Sequence, residues 1–152
     1  MKRKDWFEVL GTLGMIAGLI FVGAEIRQST IATRAATLQE VKSSWLDFNL
    51  VVASSPELGA AIQKGEELGW DSLASSERFM ISGFYRSLFQ NWSNAYAQYR
   101  LGTLDPEEWA PQLRDAAPLA QDPLGLEVWE LYDHVFDDHF QALMDSLIAA
   151  GG

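Results

Sequence analysis

The residues whose types and spacing are best suited to metal chemistry lie near the carboxyl end of the chain. Glu130, His134 and Asp138 are four residues apart, a spacing that places side chains on one face of an α-helix. Carboxylates and an imidazole can together hold iron, manganese or zinc. Di-iron bundles use Glu-x-x-His pairs, but Leu131 and Phe136 stand three residues before the two histidines. A solvated acidic helix is therefore the preferred interpretation, and neither a metal nor a cofactor is predicted.

No other pattern in the sequence predicts catalysis. The chain has no cysteine and two histidines, which removes thiol chemistry and limits acid–base chemistry. It contains no Gly-x-Ser-x-Gly nucleophile elbow, no phosphate-binding glycine loop and no Gly-x-Gly-x-x-Gly motif. Tryptophan and tyrosine at helical spacing can line a ligand pocket but are more typical of a helical core. We therefore expect a protein that is not an enzyme.

The most informative element lies at the amino end, where residues 9–24 run without a charge. A helix that is apolar on every side leaves water, either for lipid or for the interior of a protein. Sixteen residues rise about 24 Å, and Trp6 and Arg27 at the two ends can extend this length towards a bilayer of roughly 30 Å. The segment is therefore predicted to span a membrane once.

Glycines within this segment predict a contact with another helix. Gly14 and Gly18 form a Gly-x-x-x-Gly motif, which lets a second helix approach closely, and Gly11 lies one turn earlier. Each glycine costs a water-exposed helix on the order of 1 kcal/mol relative to alanine, so a packing role in lipid explains their presence better. We expect these three glycines to form a helix–helix interface.

Two other interpretations of the apolar segment remain open. Basic residues 2–4 and small residues 22–24 resemble the start and the cleavage site of a signal peptide, although Asp5 and Glu8 interrupt the basic region. Alternatively, several copies can bundle their apolar segments inside a soluble homo-oligomer. The positive-inside rule does not orient the span, because three Lys or Arg residues precede it and three follow it before residue 43.

Beyond the apolar segment the same helix becomes amphipathic. No proline interrupts it, so we expect one helix from Trp6 to about Ser54. Its apolar side chains recur at heptad positions, which predicts an interface with another helix of this chain or with a second copy. The members of this heptad stripe are Ile31, Leu38, Val41, Trp45, Phe48 and Val52.

The remaining sequence predicts five more helices. Serine or aspartate caps, three of them followed directly by proline, mark their starts at Ser55, Ser75, Asp105, Asp122 and Asp137. We expect the helices to end near residues 65, 101, 118, 136 and 149. Buried tryptophans should anchor their packing, with each indole N–H paired to an acceptor. The expected anchors are Trp45, Trp92, Trp109 and Trp129.

The predicted fold class is therefore all-α. One long N-terminal helix has a membrane half and an amphipathic half, and a small helical bundle packs on the latter. The predicted domains are a membrane helix over residues 1–27 and an acidic helical domain over residues 28–152, with the helix continuous across the boundary. Residues 43–152 carry five Lys or Arg against seventeen Asp or Glu. This charge repels phosphates, so no nucleic acid partner is expected.

Three segments, residues 25–40, 55–58 and 99–109, resemble a family of short, uncharacterised bacterial proteins. Members of that family have an apolar N-terminal helix followed by an Ile-Arg-Gln-x-Thr segment, and Ile26-Arg27-Gln28-Ser29-Thr30 matches it here. The resemblance implies a single N-terminal membrane span and a small helical domain in the cytoplasm. It implies no activity, so no residue inherits a catalytic role from it.

These observations together predict a non-enzymatic interaction or accessory subunit, anchored in the cell inner membrane by a single span with its soluble domain in the cytoplasm. The expected partners are the lipid bilayer and either another membrane protein or further copies of the chain. One alternative is a soluble homo-oligomer with a buried bundle of N-terminal helices. The other alternative is a small-molecule or metal-binding helical bundle.

Overall fold

The structure, a computed structural model, describes residues 3–150, and among the first nine residues it places the side chain of Trp6 alone. The described residues form six α-helices and two short 3-10 turns, with no strand among them. The helices are α1 (Arg3–Ala53), α2 (Pro56–Leu68), α3 (Ser75–Arg100), α4 (Pro106–Leu119), α5 (Pro123–Tyr132) and α6 (Asp138–Ala149). The turns are Trp70–Ser72 and Asp133–Val135. The predicted all-α fold with a long N-terminal helix is confirmed.

The chain divides into two compact units, Met1–Ala36 and Thr37–Gly152. The first unit consists of the amino-terminal part of α1, and the second contains the rest of α1 together with α2 to α6. The sequence places its domain boundary earlier, after residue 27, because the apolar segment has ended by there.

Proline and acidic side chains start the helices where the sequence predicts. Pro56, Pro106 and Pro123 each occupy the first helical position, where the missing N–H has no partner to lose. At the start of α6, the Asp137 carboxylate accepts the backbone N–H groups of two residues in the first turn, at 3.0 and 3.2 Å. At the start of α3 the predicted cap is wrong by one residue, because Ala74 and not Ser75 precedes the helix, and Glu77 Oε2 accepts the Ala74 N–H at 2.6 Å.

Two helix ends use glycine in a backbone conformation that other residues rarely adopt. Gly69 after α2 has a φ of 83° and Gly102 after α3 has a φ of 74°. In contrast, α5 ends at Tyr132, four residues before the predicted end near Phe136, and a 3-10 turn follows. This early end separates residues that the sequence places on one helical face.

Helix α3 supplies the centre of the hydrophobic core in the second unit. Phe89 is fully buried and its ring lies 5.2 Å from that of Trp129 and 6.1 Å from that of Trp92. A smaller cluster forms around Val41 of α1 and Trp109 of α4. The predicted anchors Trp92, Trp109 and Trp129 are buried, and aromatic edge-to-face contacts join the helices at the centre.

Candidate functional site

The apolar segment of α1 lies wholly exposed. Every residue from 10 to 36 is exposed. The large apolar side chains between residues 10 and 24 each show 49–71% of their surface. These side chains are Leu10, Leu13, Met15, Ile16, Leu19, Ile20, Phe21 and Val22. So extensive an exposed apolar surface is typical of a segment that contacts lipid or another molecule.

The free energy at stake in this surface is large. Moving eight such side chains out of water gains on the order of 10 kcal/mol, since each contributes roughly 1.5–3 kcal/mol when fully buried. Between Leu10 and Ala53, α1 contains a stretch that is long and apolar enough to cross a membrane. The core helix of a soluble monomer can be equally long and apolar, but such a helix is buried, whereas no residue of this apolar stretch is buried.

The three predicted interface glycines lie on this exposed helix. A methyl group added at Gly11, Gly14 or Gly18 would meet no atom within 4 Å, and the same holds for Gly23. The described part of this chain therefore does not use the close approach that these glycines permit. Their small surface is available to a helix of another molecule.

The heptad stripe divides between the two units. Ile31 lies in the first unit and shows 60% of its surface. The other members lie in the second unit, where Val41 is buried. Leu38, Trp45, Phe48 and Val52 are half-buried against the core clusters of the same chain. In this range, the stripe packs on helices of its own chain, so a second copy cannot occupy the same side chains.

Aromatic rings and polar pairs hold the last part of α1 against α3 and α4. The Phe48 ring stacks on Phe84 of α3 with centroids 5.4 Å apart. The Trp45 Nε1–H donates to Gln112 Oε1 of α4 at 2.7 Å, which satisfies the indole N–H as predicted. The Ser44 hydroxyl donates to Asn91 Oδ1 of α3 at 2.5 Å. These contacts give residues 37–53 of α1 a fixed orientation within the second unit.

Three clefts lie beside Phe48, each lined by residues of α1 and α3. Their volumes are about 390, 470 and 520 Å³. The largest is lined by apolar rings that include Trp45 and Trp92, and also by Arg114 and Asp115. Among the residues that the structure describes, the buried Trp92 indole N–H has no hydrogen-bond partner, so the prediction that every anchor tryptophan finds an acceptor is wrong for this one. None of the three linings includes a histidine.

The metal candidates do not share a helical face. Glu130 lies on α5, His134 in the 3-10 turn and Asp138 at the start of α6, so the prediction drawn from their spacing is wrong. The break has a local cause, because Asp133 accepts the His134 backbone N–H at 2.5 Å and Asp137 caps α6. Among the residues that the structure describes, no three His, Asp or Glu side chains are placed to hold a metal ion.

One buried polar contact is not evident from the sequence. The Tyr85 hydroxyl of α3 donates to the Asp122 carboxylate, which precedes α5. Burial raises the pKa of Asp122, while hydrogen bonds from the backbone N–H groups of Leu124 and Gly125 oppose that rise. On the surface, a hydrogen bond from Lys64 lowers the pKa of Glu77. The aspartate at a helix start is visible in the sequence, but its tyrosine partner, 37 residues away, is not.

Comparison with protein-family models, with curated proteins and with solved structures finds no match in any of the three. The resemblance to short bacterial proteins therefore rests on the sequence segments alone, and its bacterial origin remains a prediction. No activity, ligand or partner is transferred from a relative. The geometry of the described residues is the evidence on which a function can be proposed.

Proposed function

We propose that this protein is a non-enzymatic accessory subunit anchored in the cell inner membrane by one span, with its acidic helical domain in the cytoplasm. The observation that carries the proposal is the exposed apolar surface of residues 10–24. Lipid removes this surface from water without any further protein. A continuous α1 also keeps its backbone hydrogen bonds within the helix, as the bilayer interior requires.

The glycines supply a contact for a partner within the bilayer. Lipid tails are as apolar as the side chains of a span, so helices associate there through close packing rather than through the hydrophobic effect. Gly14 and Gly18 leave open space over the α1 backbone and allow such packing. The proposed partner at this contact is the span of another membrane protein or of a second copy.

The acidic domain restricts what it can bind outside the bilayer. Residues 43–152 carry a net charge of −12, with five basic against seventeen acidic side chains. Such a domain repels nucleic acid and anionic lipid headgroups at long range. A protein surface with basic or neutral side chains is the partner that this charge favours.

Membrane fractionation of the full chain tests the anchor. We expect the protein to remain in membranes washed with alkaline carbonate and to dissolve in detergent. A lysine near the centre of a span costs about 2.5–3.5 kcal/mol, so a variant carrying both Ile16→Lys and Ile20→Lys should leave the membrane fraction. The matched control is Ile31→Lys, at an exposed position beyond the apolar segment, which should stay in membranes.

The same fractionation distinguishes a second candidate, a soluble homo-oligomer whose N-terminal helices bundle together. The exposure of residues 10–24 favours this candidate too, because other copies can cover the segment as lipid does. Sedimentation in plain buffer decides between them. A single, well-defined oligomer without detergent would refute the membrane anchor, whereas aggregation without detergent and dispersion with it support the anchor.

A further inference from the structure

A second face of α1 in the second unit is exposed and free of charge. At 100° per residue, this face lies opposite the side that carries Val41, Phe48 and Val52 into the core. Its members, Gln39, Ser43, Leu46, Leu50 and Ala53, are all exposed. Leu46 and Leu50 show 60% and 59% of their surface although they are large and apolar. Their spacing matches the a and d positions of a heptad that is offset from the heptad stripe.

Charged residues flank this face in complementary positions. With Leu46 at d and Leu50 at a, Lys42 takes position g and Asp47 takes position e. Both side chains are exposed. In a parallel pair of helices, g of one copy meets the following e of the other, five residues later. Lys42 of each copy therefore meets Asp47 of the other, and twofold symmetry forms this ion pair twice.

Only the parallel arrangement brings these opposite charges together. In an antiparallel pair, g positions lie beside g positions and e beside e, so Lys42 does not meet Asp47 of the other copy and this ion pair does not form. In the parallel pair the next g and e positions are Asn49 and Ser54, which are uncharged and do not repel. Charge complementarity thus selects both the occupant and its direction.

We propose that two copies of this chain form a parallel dimer through the face made by Gln39, Ser43, Leu46, Leu50 and Ala53. This inference rests on the proposed membrane anchor, because anchoring in one bilayer aligns the copies and raises their effective concentration. The interface contains only two leucine layers beside polar and small residues, so its own affinity is low. Alignment of the copies in one bilayer is therefore needed for the dimer to form. The Gly14 contact within the bilayer is a separate feature and is not needed for this dimer.

Cysteine cross-linking in native membranes tests the dimer, since the chain has no cysteine of its own. Leu46→Cys places one thiol at a d position, where symmetry brings it against its counterpart. The matched control is Val51→Cys, whose parent side chain is 63% exposed on a different face of the same helix. We expect mild oxidation to convert Leu46→Cys to a disulfide dimer at least about tenfold faster than Val51→Cys. Equal rates would overturn the proposal, and so would a disulfide adduct with another protein instead of a dimer.

Charge exchange tests the register of the dimer. Lys42 Nζ also lies 3.4 Å from Glu108 Oε2 of its own chain. All variants therefore carry Glu108→Gln to remove that ion pair. In this background, Lys42→Asp or Asp47→Lys alone should slow cross-linking of Leu46→Cys about threefold or more, because like charges then meet. The double exchange should restore the rate. If the double variant stays as slow as the single variants, the parallel register is wrong.

Fractionation of the same samples separates the two proposals. Protein that stays in the membrane and does not cross-link at residue 46 refutes the dimer and leaves the anchor in place. Protein that is soluble and cross-links selectively at residue 46 supports the dimer and refutes the anchor. The two failures are therefore read from different measurements.

Discussion

Two glycines near the starts of their helices, with different surroundings, should respond in opposite ways to the same added methyl group. At Gly125 in α5, a new Cβ would lie 2.9 Å from the Leu119 carbonyl oxygen and 3.1 Å from Cε1 of Tyr85. The first neighbour is a backbone atom and the second belongs to a buried ring, so displacing either one costs free energy. At Gly59 in α2, a new Cβ would meet nothing within 4 Å.

The magnitudes follow from these distances. Alanine in place of an exposed helical glycine stabilises by roughly 0.5–1 kcal/mol, because the unfolded chain loses backbone freedom. Gly59→Ala should therefore raise the free energy of unfolding by that amount. Gly125→Ala gains the same helix propensity but forces the Leu119 backbone and the Tyr85 ring apart, and overpacking of this kind costs about 1–3 kcal/mol. These terms combine to a net loss between about 0 and 2.5 kcal/mol, and we expect the upper half of that range because the closest neighbour, at 2.9 Å, is backbone.

Urea unfolding of the full chain in mild detergent measures both changes. Tryptophan fluorescence reports the transition, since Trp129 lies on the same helix as Gly125 and is buried. The slope with urea should be unchanged, so that the midpoints alone report stability. If Gly125→Ala matched or exceeded the wild-type midpoint while Gly59→Ala behaved as expected, the packing of α5 against Tyr85 would be refuted.

Three further changes test other parts of the structure. Replacing Gly14 and Gly18 with leucine should disperse a complex detected by native electrophoresis of membranes, and an unchanged complex would exclude the glycine contact. Because burial raises the pKa of Asp122, its folded form holds a proton more tightly than its unfolded form, so its contribution to stability is present at low pH and is lost as pH rises through the raised pKa. Asp122→Asn should thus remove the loss of stability that Asp122 contributes as pH rises above the usual carboxyl range, and unfolding curves with the same pH slope as wild type would contradict this. Phe89→Ala in the core should cost about 3–5 kcal/mol, whereas Phe79→Ala, at an 81% exposed position on the same helix, should change stability by less than about 0.5 kcal/mol in the same urea assay.

The helices were largely predictable because their start signals are local. Pro56, Pro106 and Pro123 act through their own missing N–H, and Asp137 reaches only into the next turn. The end of α5 at Tyr132 was not predictable from hydrophobic periodicity, because apolar residues continue to Phe136. That end depends on Asp133 and Asp137, which accept backbone N–H groups of the residues that follow them.

The polar contacts of the second unit depend on distant parts of the chain. Tyr85 meets Asp122 at the start of α5, and Trp45 meets Gln112, because α3 packs on α5 and α1 on α4, not because of any spacing along the sequence. Sequence periodicity showed that Trp45 lies on an apolar face but not which helix covers it. The same limit conceals the second face of α1, since Gln39 and Ser43 interrupt the apolar pattern around Leu46.

Hydrophobicity alone does not decide whether lipid or other helices surround the apolar segment. The free energy gained on leaving water scales with the apolar area removed and does not depend on what covers that area. Lipid and a bundle of identical helices therefore stabilise residues 10–24 to a similar extent. Packing answers a separate question, because glycines with open space above them, such as Gly14 and Gly18, cost stability in a water-exposed helix and gain it where another helix lies close, in lipid or in a bundle. Behaviour with and without detergent then identifies the surroundings of the segment, and leucine at the two glycines identifies whether a helix is its neighbour.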